Sequence, residues 1–269
     1  MKQLARGQRG DEVSRLQALL CLARFDAKPI DGIFGRGTEA IVKDYQRAKN
    51  LPVNGQVDED CQRALGLDQP DETKVPTPVI DALTVDKVAR MFSRHTPRRN
   101  IERFLPPVLA ALREAEMDDR ELVLMALSTI RAESEGFEPI DEQVSRYNTS
   151  DGGHSFDLYD DRASLGNRGR PDGERFKGRG FVQLTGRSNY EGFSIALGLG
   201  SELVDRPERA NEPELAARIL AAFLKEKRSA AKYAILGRDL RTARKLVNGG
   251  SHGLDRFEDA FRTGEQLLA

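Results

Sequence analysis

Apolar residues recur at helical spacing along most of the chain. Val13, Leu16, Leu19 and Leu20 share one face of a helix predicted over Glu12 to Ala23, with Gly10-Asp11 as its start. Arg36-Gly37-Thr38 opens a second helix, with Ala40, Ile41, Val42 and Tyr45 mostly inward. Between them lies the turn-rich loop Pro29-Ile30-Asp31-Gly32-Ile33-Phe34-Gly35. A third short helix starts near Asp58 and holds Cys61 and Leu65. The pattern then breaks: Gly66 to Ala82 carries Pro70, Pro76 and Pro78 among polar residues, so it offers no core face and reads as a linker.

Helical periodicity resumes after the break. Thr84-Val85-Asp86 caps a helix through Phe92, and Ile101, Phe104, Leu105, Val108, Leu109 and Leu112 mark another. Glu121 to Ala132 is strongly apolar, with Leu122, Met125, Ala126, Thr129 and Ile130 facing inward. Residues 146–180 are rich in Gly, Asp, Asn and Arg and read as long loops with room for one short hairpin. Loops of that length in a compact domain are usually functional or disordered. Pro213 to Lys227, Leu240 to Val247 and Leu254 to Leu268 return to helix. The expected fold class is therefore mainly α: a small three-helix domain over 1–66, a linker over 67–82 and a larger α-helical domain with long loops over 83–269.

Composition narrows the function classes. The 269 residues include 42 Lys plus Arg and 43 Asp plus Glu, a net charge of −1, which favours neither nucleic acid nor anionic lipid as partner. Trp is absent, so a carbohydrate site would rely on Tyr, Phe or hydrogen bonds. Cys21 and Cys61 lack metal-ligand spacing, and His95, His154 and His252 are scattered, so no metal or other cofactor is expected. The first residues lack the apolar run of a signal peptide, and no stretch reaches the roughly 18 apolar residues of a membrane span. The expectation is a monomer made in the cytoplasm without a signal peptide, not bound to membrane.

Candidate chemistry concentrates in the larger domain. In Ile130-Arg131-Ala132-Glu133-Ser134-Glu135-Gly136-Phe137 a glutamate ends an apolar helix just before a glycine turn. A carboxyl group at the edge of an apolar core is disfavoured as an anion, and a protonated carboxyl is what a general acid needs. The same position also suits a solvated carboxylate at a helix end. Inverting glycoside hydrolysis needs a second carboxylate about 6.5–9.5 Å from the first, leaving room for water. Glu142, beyond the turn at Gly136 and Pro139, suits the far lip of a cleft, with Glu135, Glu138 and Asp141 as competitors. The run Gly178-Arg179-Gly180-Phe181-Val182-Gln183-Leu184-Thr185-Gly186-Arg187-Ser188-Asn189-Tyr190 offers amides and hydroxyls suited to sugar, and Val247-Asn248-Gly249-Gly250 precedes Asp255-Arg256.

Two resemblances follow from these residues. Leu4, Arg6-Gly7, Gly10, Val13, Leu16-Gln17, Leu20, Asp31-Gly32, Phe34-Gly35, Thr38, Ala40, Val42, Tyr45-Gln46, Leu51-Pro52-Val53, Gly55 and Val57-Asp58 resemble the type 1 peptidoglycan-binding domain. That resemblance implies bacterial peptidoglycan as partner and a wall-binding role for Asp31, Gly32 and Phe34. Residues 84–268 resemble glycoside hydrolase family 19, closest to its lysozyme-like endolysin branch, with Tyr159 to Asn167 and the GRGFVQLTGRSNY run strengthening that branch. It implies a lysozyme-like catalytic domain with Glu133 as general acid, Glu142 as general base and Thr185 holding the attacking water. It also implies that Gln183, Asn189, Tyr190, Asn248 and Arg256 line the substrate cleft. Ser134-Glu135-Gly136 replaces the usual Ser-Gly-Gly, placing an extra carboxylate beside the acid, and 143–154 matches poorly. The function implied is a muramidase-type, phage-like endolysin acting on the wall after release. The alternatives are a chitinase, a lytic transglycosylase and a non-enzymatic wall binder.

Overall fold

The computed structural model describes residues 3–71, 73, 78–248, 250 and 252–269, the side chain of residue 248 excepted. The chain is mainly α, 57% helical, with only isolated β-bridges and no strand among the described residues. It forms two compact units: Met1–Thr77 with Lys227–Leu254, and Pro78–Glu226 with Asp255–Ala269.

The first unit holds α1 (Asp11–Leu22), α2 (Arg36–Ala48), α3 (Glu59–Leu65), α12 (Arg228–Leu236) and α13 (Leu240–Asn248). Val13, Leu16 and Leu20 of α1 meet Val42 and Tyr45 of α2 in a core that also takes Leu4, Phe34, Val57 and Cys61. Ala40, expected inward, is exposed. Buried glutamine amides supplement this small core. Gln46 accepts from the backbone N–H of Asn54 and Gly55 and donates to the Gln56 carbonyl (2.7 Å), and Gln62 donates to the Val57 carbonyl at 3.0 Å. Asp58 caps α3 by accepting from Cys61 N.

The start of the expected linker belongs to this unit. Gly66 ends α3 in the left-handed conformation that a residue without Cβ adopts easily, and Leu67 turns back into the core. Arg15 holds the following backbone at Leu67, Gln69 and Pro70. Residues 72 and 74–77 of the linker, Pro76 included, lie outside the described residues.

Residues 227–254 read from the sequence as part of the larger domain, but they pack here. Tyr233 of α12 clusters with Ala18 and Ile30, and its hydroxyl donates to Asp71 at 2.5 Å. Asp239 caps α13 through Thr242 and accepts from Ile30 N at 3.1 Å. Periodicity announces that a helix has an apolar face; it does not say which partner covers that face.

The second unit is built on α5 (Arg98–Glu114), α6 (Arg120–Glu133) and α11 (Pro213–Lys225), with α4 (Val85–Met91) against α5 and α14 (Leu254–Leu267) closing the chain. Every residue from Leu122 to Ala132 is buried, so α6 is the central helix. Asp119 caps its start by accepting from Leu122 N. Short helices α7 (Asp157–Asp160), α8 (Asp172–Arg175) and α10 (Glu202–Asp205) punctuate the loops. A ten-residue α9 (Arg187–Ala196) follows the GRGFVQLTG run. Phe176, Leu184, Tyr190, Phe193, Leu203, Leu215 and Ile219 form a second core cluster beneath it.

Gly237, just after α12, sits at a close approach: a Cβ there would displace the Ile30 Cδ1 methyl and lie 3.2 Å from Ala18 Cα. Gly237→Ala is therefore expected to destabilise the protein by about 1–3 kcal/mol, the usual cost of overpacking. A denaturant midpoint unchanged from the parent would remove this contact from the account of the first unit.

Candidate functional site

Glu133 is the last residue of α6, half-buried where the fully buried stretch of the helix ends. The turn that follows is pinned from α5 and the segment before it. Thr96 donates to the Glu135 carbonyl at 2.6 Å, and Asn100 donates to the Gly136 carbonyl at 2.7 Å. Phe137, with φ 50°, buries its ring between Phe92 (4.8 Å) and Phe181 (6.3 Å), and Phe104 packs on Phe181 at 6.2 Å. These rings bring the loop after Glu133 against the glycine-rich run.

The chain then runs alongside that run. Ile140 accepts from Gln183 Nε2 at 3.0 Å, and Glu142 N donates to the Gly178 carbonyl at 2.7 Å. The Glu142 carboxylate accepts from Tyr159 Oη at 2.9 Å, from Asn148 Nδ2 at 3.0 Å and from the Gly178 backbone N–H at 3.0 Å. A Cβ on Gly178 would lie 2.9 Å from Gln183 Oε1 and 3.1 Å from Glu142 Oε2, so only glycine lets both side chains close on the backbone here. Burial, reinforced by the hydrogen bond to Glu142, pushes the Tyr159 hydroxyl up to about 12, so it stays a donor. Asn148 is fully buried, with its amide shared between Glu142 and the Gln143 carbonyl.

Two of the competing carboxylates, Asp141 and Glu135, are compensated by cations. Burial opposes ionisation of Asp141, but Lys177 (2.9 Å), Asn211 (2.6 Å) and Arg179 (3.2 Å) outweigh it and hold the carboxyl below its usual range. Glu135 is also held low, first by its hydrogen bond from Arg131 (3.3 Å), with Arg256 of α14 adding at 3.4 Å. The extra carboxylate next to Glu133 in sequence is thus engaged by two arginines, and Arg256 enters the site as a partner of Glu135.

The remaining sequence candidates divide. Gln183, at φ 52°, lies beside Glu142 around Gly178. Thr185 Oγ1 donates to the Gln183 carbonyl at 2.8 Å, and the exposed Asn189 donates to the Thr185 carbonyl at 2.7 Å. Tyr190 is fully buried against Phe176; it accepts from Arg179 at 2.9 Å and donates to the Lys177 carbonyl at 2.8 Å. It supports the loop from beneath and has no surface to offer a substrate, which corrects the expectation for this residue. The Asn248 side chain lies outside the described residues. Sequence reasoning passed over Asn148, within the poorly matching stretch, and the pair Asp172–Arg187. That pair is bidentate at 2.7 and 2.5 Å and ties α8 to the start of α9. An acid and a base bracketing a glycine-rich loop were the available signal.

The first unit carries a separate cleft of about 320 Å³, lined among others by Gln17, Asp26, Lys28, Asp31, Ile33 and Thr38. Asp31 is exposed on its rim, and its Oδ1 accepts from Gln17 Nε2 (3.0 Å) and Ile33 N (2.9 Å). Gly32, at φ 69°, is buried; a Cβ there would lie 2.7 Å from Ser14 Oγ. Phe34 is in the core. Of the three expected wall-binding residues, Asp31 reaches the surface, while Gly32 and Phe34 shape the loop that presents it.

Residues 9–65 match the family described as "Putative peptidoglycan binding domain". The match takes in α1, α2, α3 and the loop carrying Asp31. Among solved structures, that of the Burkholderia AP3 phage endolysin is similar at 17% identity over 100% of both chains, with a TM-score of 0.24. A superposition that loose establishes no shared fold. Among the described residues no helix is long and apolar enough to cross a membrane.

The Asp172–Arg187 pair gives the loop a defined acid sensitivity. The hydrogen bond from Arg187 holds the Asp172 carboxyl below its ordinary 3.8 despite burial. A depressed carboxyl stabilises the fold fully above 3.8 and loses that contribution as pH falls through the lower folded value. Asp172→Asn should cost about 1–3 kcal/mol at neutral pH. The gap to the parent should close only below 3.8. Urea midpoints measured across pH check this, and a gap that narrows between pH 7 and 5 would contradict it.

Proposed function

We propose that the protein hydrolyses the glycan strands of bacterial peptidoglycan, as a muramidase-type endolysin of the family 19 kind. The first unit holds the wall, and the second cuts it with an inverting general acid and base. The observation that carries this reading is how the acids after α6 are partnered. Asp141 and Glu135 are compensated by cations, whereas Glu142 accepts from a hydroxyl, an amide and a backbone N–H. Neutral donors fix the direction of a carboxylate without neutralising it, which suits a group that must take a proton from water. Glu133, where the apolar environment of α6 gives way, is the matching proton donor.

In this mechanism Glu133 protonates the glycosidic oxygen while Glu142 accepts a proton from water on the opposite face of the sugar. Thr185 orients the same water, so less orientational freedom is lost on the way to the transition state. Gln183 and Asn189 offer amides to sugar hydroxyls, Asn248 is assigned to the same cleft from its family position, and Arg256 steadies Glu135. No cofactor enters. The family match over 9–65 supports peptidoglycan as the partner, gripped near Asp31. The protein acts as a monomer once it is released to the wall.

Glu133→Gln keeps the shape and removes the proton donor, so turnover on purified sacculi should fall about 10²–10⁴-fold with the fold intact. Near-normal activity would sink the assignment. Mass spectrometry of the parent digest should show reducing ends. Anhydro ends would mean a transglycosylase, intact sacculi a binder, and preferential digestion of chitin a chitinase.

Glu142→Ala and Thr185→Ala should each lower turnover, and the double variant should lose less than the product of the two effects, because both groups act on one water. A neutral Glu142→Ala alongside an inactive Asp141→Ala would move the base to Asp141.

A further inference from the structure

In the first unit α1 and α12 end against one another at a cavity of about 240 Å³, lined among others by Cys21, Arg24, Phe25, Asp26, Lys28 and Arg238. Both helices end in the same way. After α1 the chain passes Ala23 to Arg24 at φ 70°, and after α12 it passes Gly237 to Arg238 at φ 58°. Position C′ of a helix in the left-handed conformation is usually glycine or asparagine, because a Cβ crowds the backbone there. This unit instead places an arginine at each of two such positions, and both arginines border the same cavity. Strained backbone that persists in pairs around a cavity directs attention to what the side chains do there.

The charges converge. Arg24, Lys28 and Arg238 face the cavity against the single carboxylate of Asp26, and all four side chains are exposed to solvent. Among the described residues neither Arg24 nor Lys28 takes part in an ion pair. The floor is apolar and firm: Phe25 stacks edge-on against the buried Tyr45 at 5.4 Å. Gly237 lets the end of α12 close on Ala18 and Ile30. Arg24 and Arg238 lie just past helix C-termini, where the macrodipole favours positive charge, and with Lys28 they must outweigh the same field's repulsion of an incoming anion. The cavity adjoins the cleft of Asp31, with Asp26 and Lys28 lining both. The cavity carries three cations to one carboxylate, an excess that complements a ligand's free carboxylate, whereas the adjoining cleft adds the carboxylate of Asp31.

We propose that this cavity is an anion subsite that takes the free carboxylate of a wall peptide, with Arg24, Lys28 and Arg238 as its donors and Phe25 against the adjoining apolar side chain. The proposal rests on the wall-binding reading of the first unit and extends it to residues 237–238, outside the matched segment 9–65.

The test uses the full chain carrying Glu133→Gln, so that no substrate is consumed, with D-alanyl-D-alanine, its C-terminal amide and inorganic phosphate as probes. Backbone amide shifts in NMR should move saturably at residues 21–28 and 237–238 with the free acid. The amide should bind at least tenfold more weakly. Arg24→Gly with Arg238→Gly removes both side chains while giving each backbone the residue that suits it. This variant should lose at least tenfold in affinity for the acid with no fall in Tm, and Lys28→Gln, which leaves those two turns untouched, should weaken it severalfold. Equal binding of acid and amide, no shifts at these residues, or unchanged affinity in the glycine variant would overturn the subsite. A lower Tm in the glycine variant would make the arginines structural caps and would overturn it too, and phosphate binding tighter than the peptide would overturn the carboxylate assignment. Pelleting of the same chain with sacculi is read separately. A chain that binds the free acid at this cavity but does not pellet would defeat the wall-binding reading and leave the anion site standing, while one that pellets without binding the acid would do the reverse.

Discussion

The second unit depends on a helix that cannot face water. From Leu122 to Ala132 every side chain of α6 is buried, so surrounding elements must cover it on all sides. Full burial of a leucine, isoleucine or methionine stabilises by about 1.5–3 kcal/mol each, against about 0–1 kcal/mol for an exposed ion pair. Packing around α6 therefore decides where the loops go, and the charged groups take positions within that frame. Glu133 sits where the frame stops: the helix ends, Ser134 leaves helical geometry, and the chain turns out through Gly136. The aromatic series Phe92, Phe137, Phe181 and Phe104 extends the core beyond the helix and carries the glycine-rich run to the loop after Glu133.

Within that frame, each carboxylate is defined by what donates to it. Four acids lie between positions 135 and 142, and three of them, Glu135, Asp141 and Glu142, have surroundings that differ in kind. Arginines hold Glu135, and Lys177 with Arg179 holds Asp141, so each neutralises local charge and ties segments together. Glu142 is aimed by Tyr159, Asn148 and the Gly178 backbone. Tyr159 and Asn148 come from the loop region that looked least ordered in the sequence. The order of that loop comes from polar side chains bonding to backbone, as where Asp160 accepts from Gly173 N and Asn167 donates to the Tyr159 carbonyl.

Much of the fold was legible because helical periodicity is a local property. Val13, Leu16 and Leu20 are inward as their spacing requires, α6 was evident from its apolar run, and the mainly α class followed. The α9 helix was obscured because Arg187, Ser188, Asn189 and Gly192 dilute its apolar face and its motif reads as a loop. The placement of α12 and α13 was not legible, since Tyr233 finds Ala18 and Ile30 some two hundred positions away. Glu133 could be singled out as a carboxyl at the end of an apolar run. Tyr190 could not be told from a surface tyrosine, because its burial depends on Phe176, Arg179 and the Lys177 carbonyl converging from the preceding loop.

The first unit solves a different problem. The three helices within 9–65 bring few apolar side chains to their core, and α12 adds Tyr233 against Ala18 and Ile30. Polar residues take over part of the task. Gln17 links α1 to the Asp31 loop by accepting from Gly32 N and donating toward Asp31 and Thr38, and Gln46 closes the turn at Asn54 and Gly55. Buried amides of this kind are costly unless their hydrogen bonds are made, so each one fixes a loop as well as holding it. Asp31 thereby reaches the surface on a loop whose backbone is already committed. A ligand gripped there would not have to pay for ordering it, and that preorganisation favours affinity in a site built from short polar side chains without tryptophan.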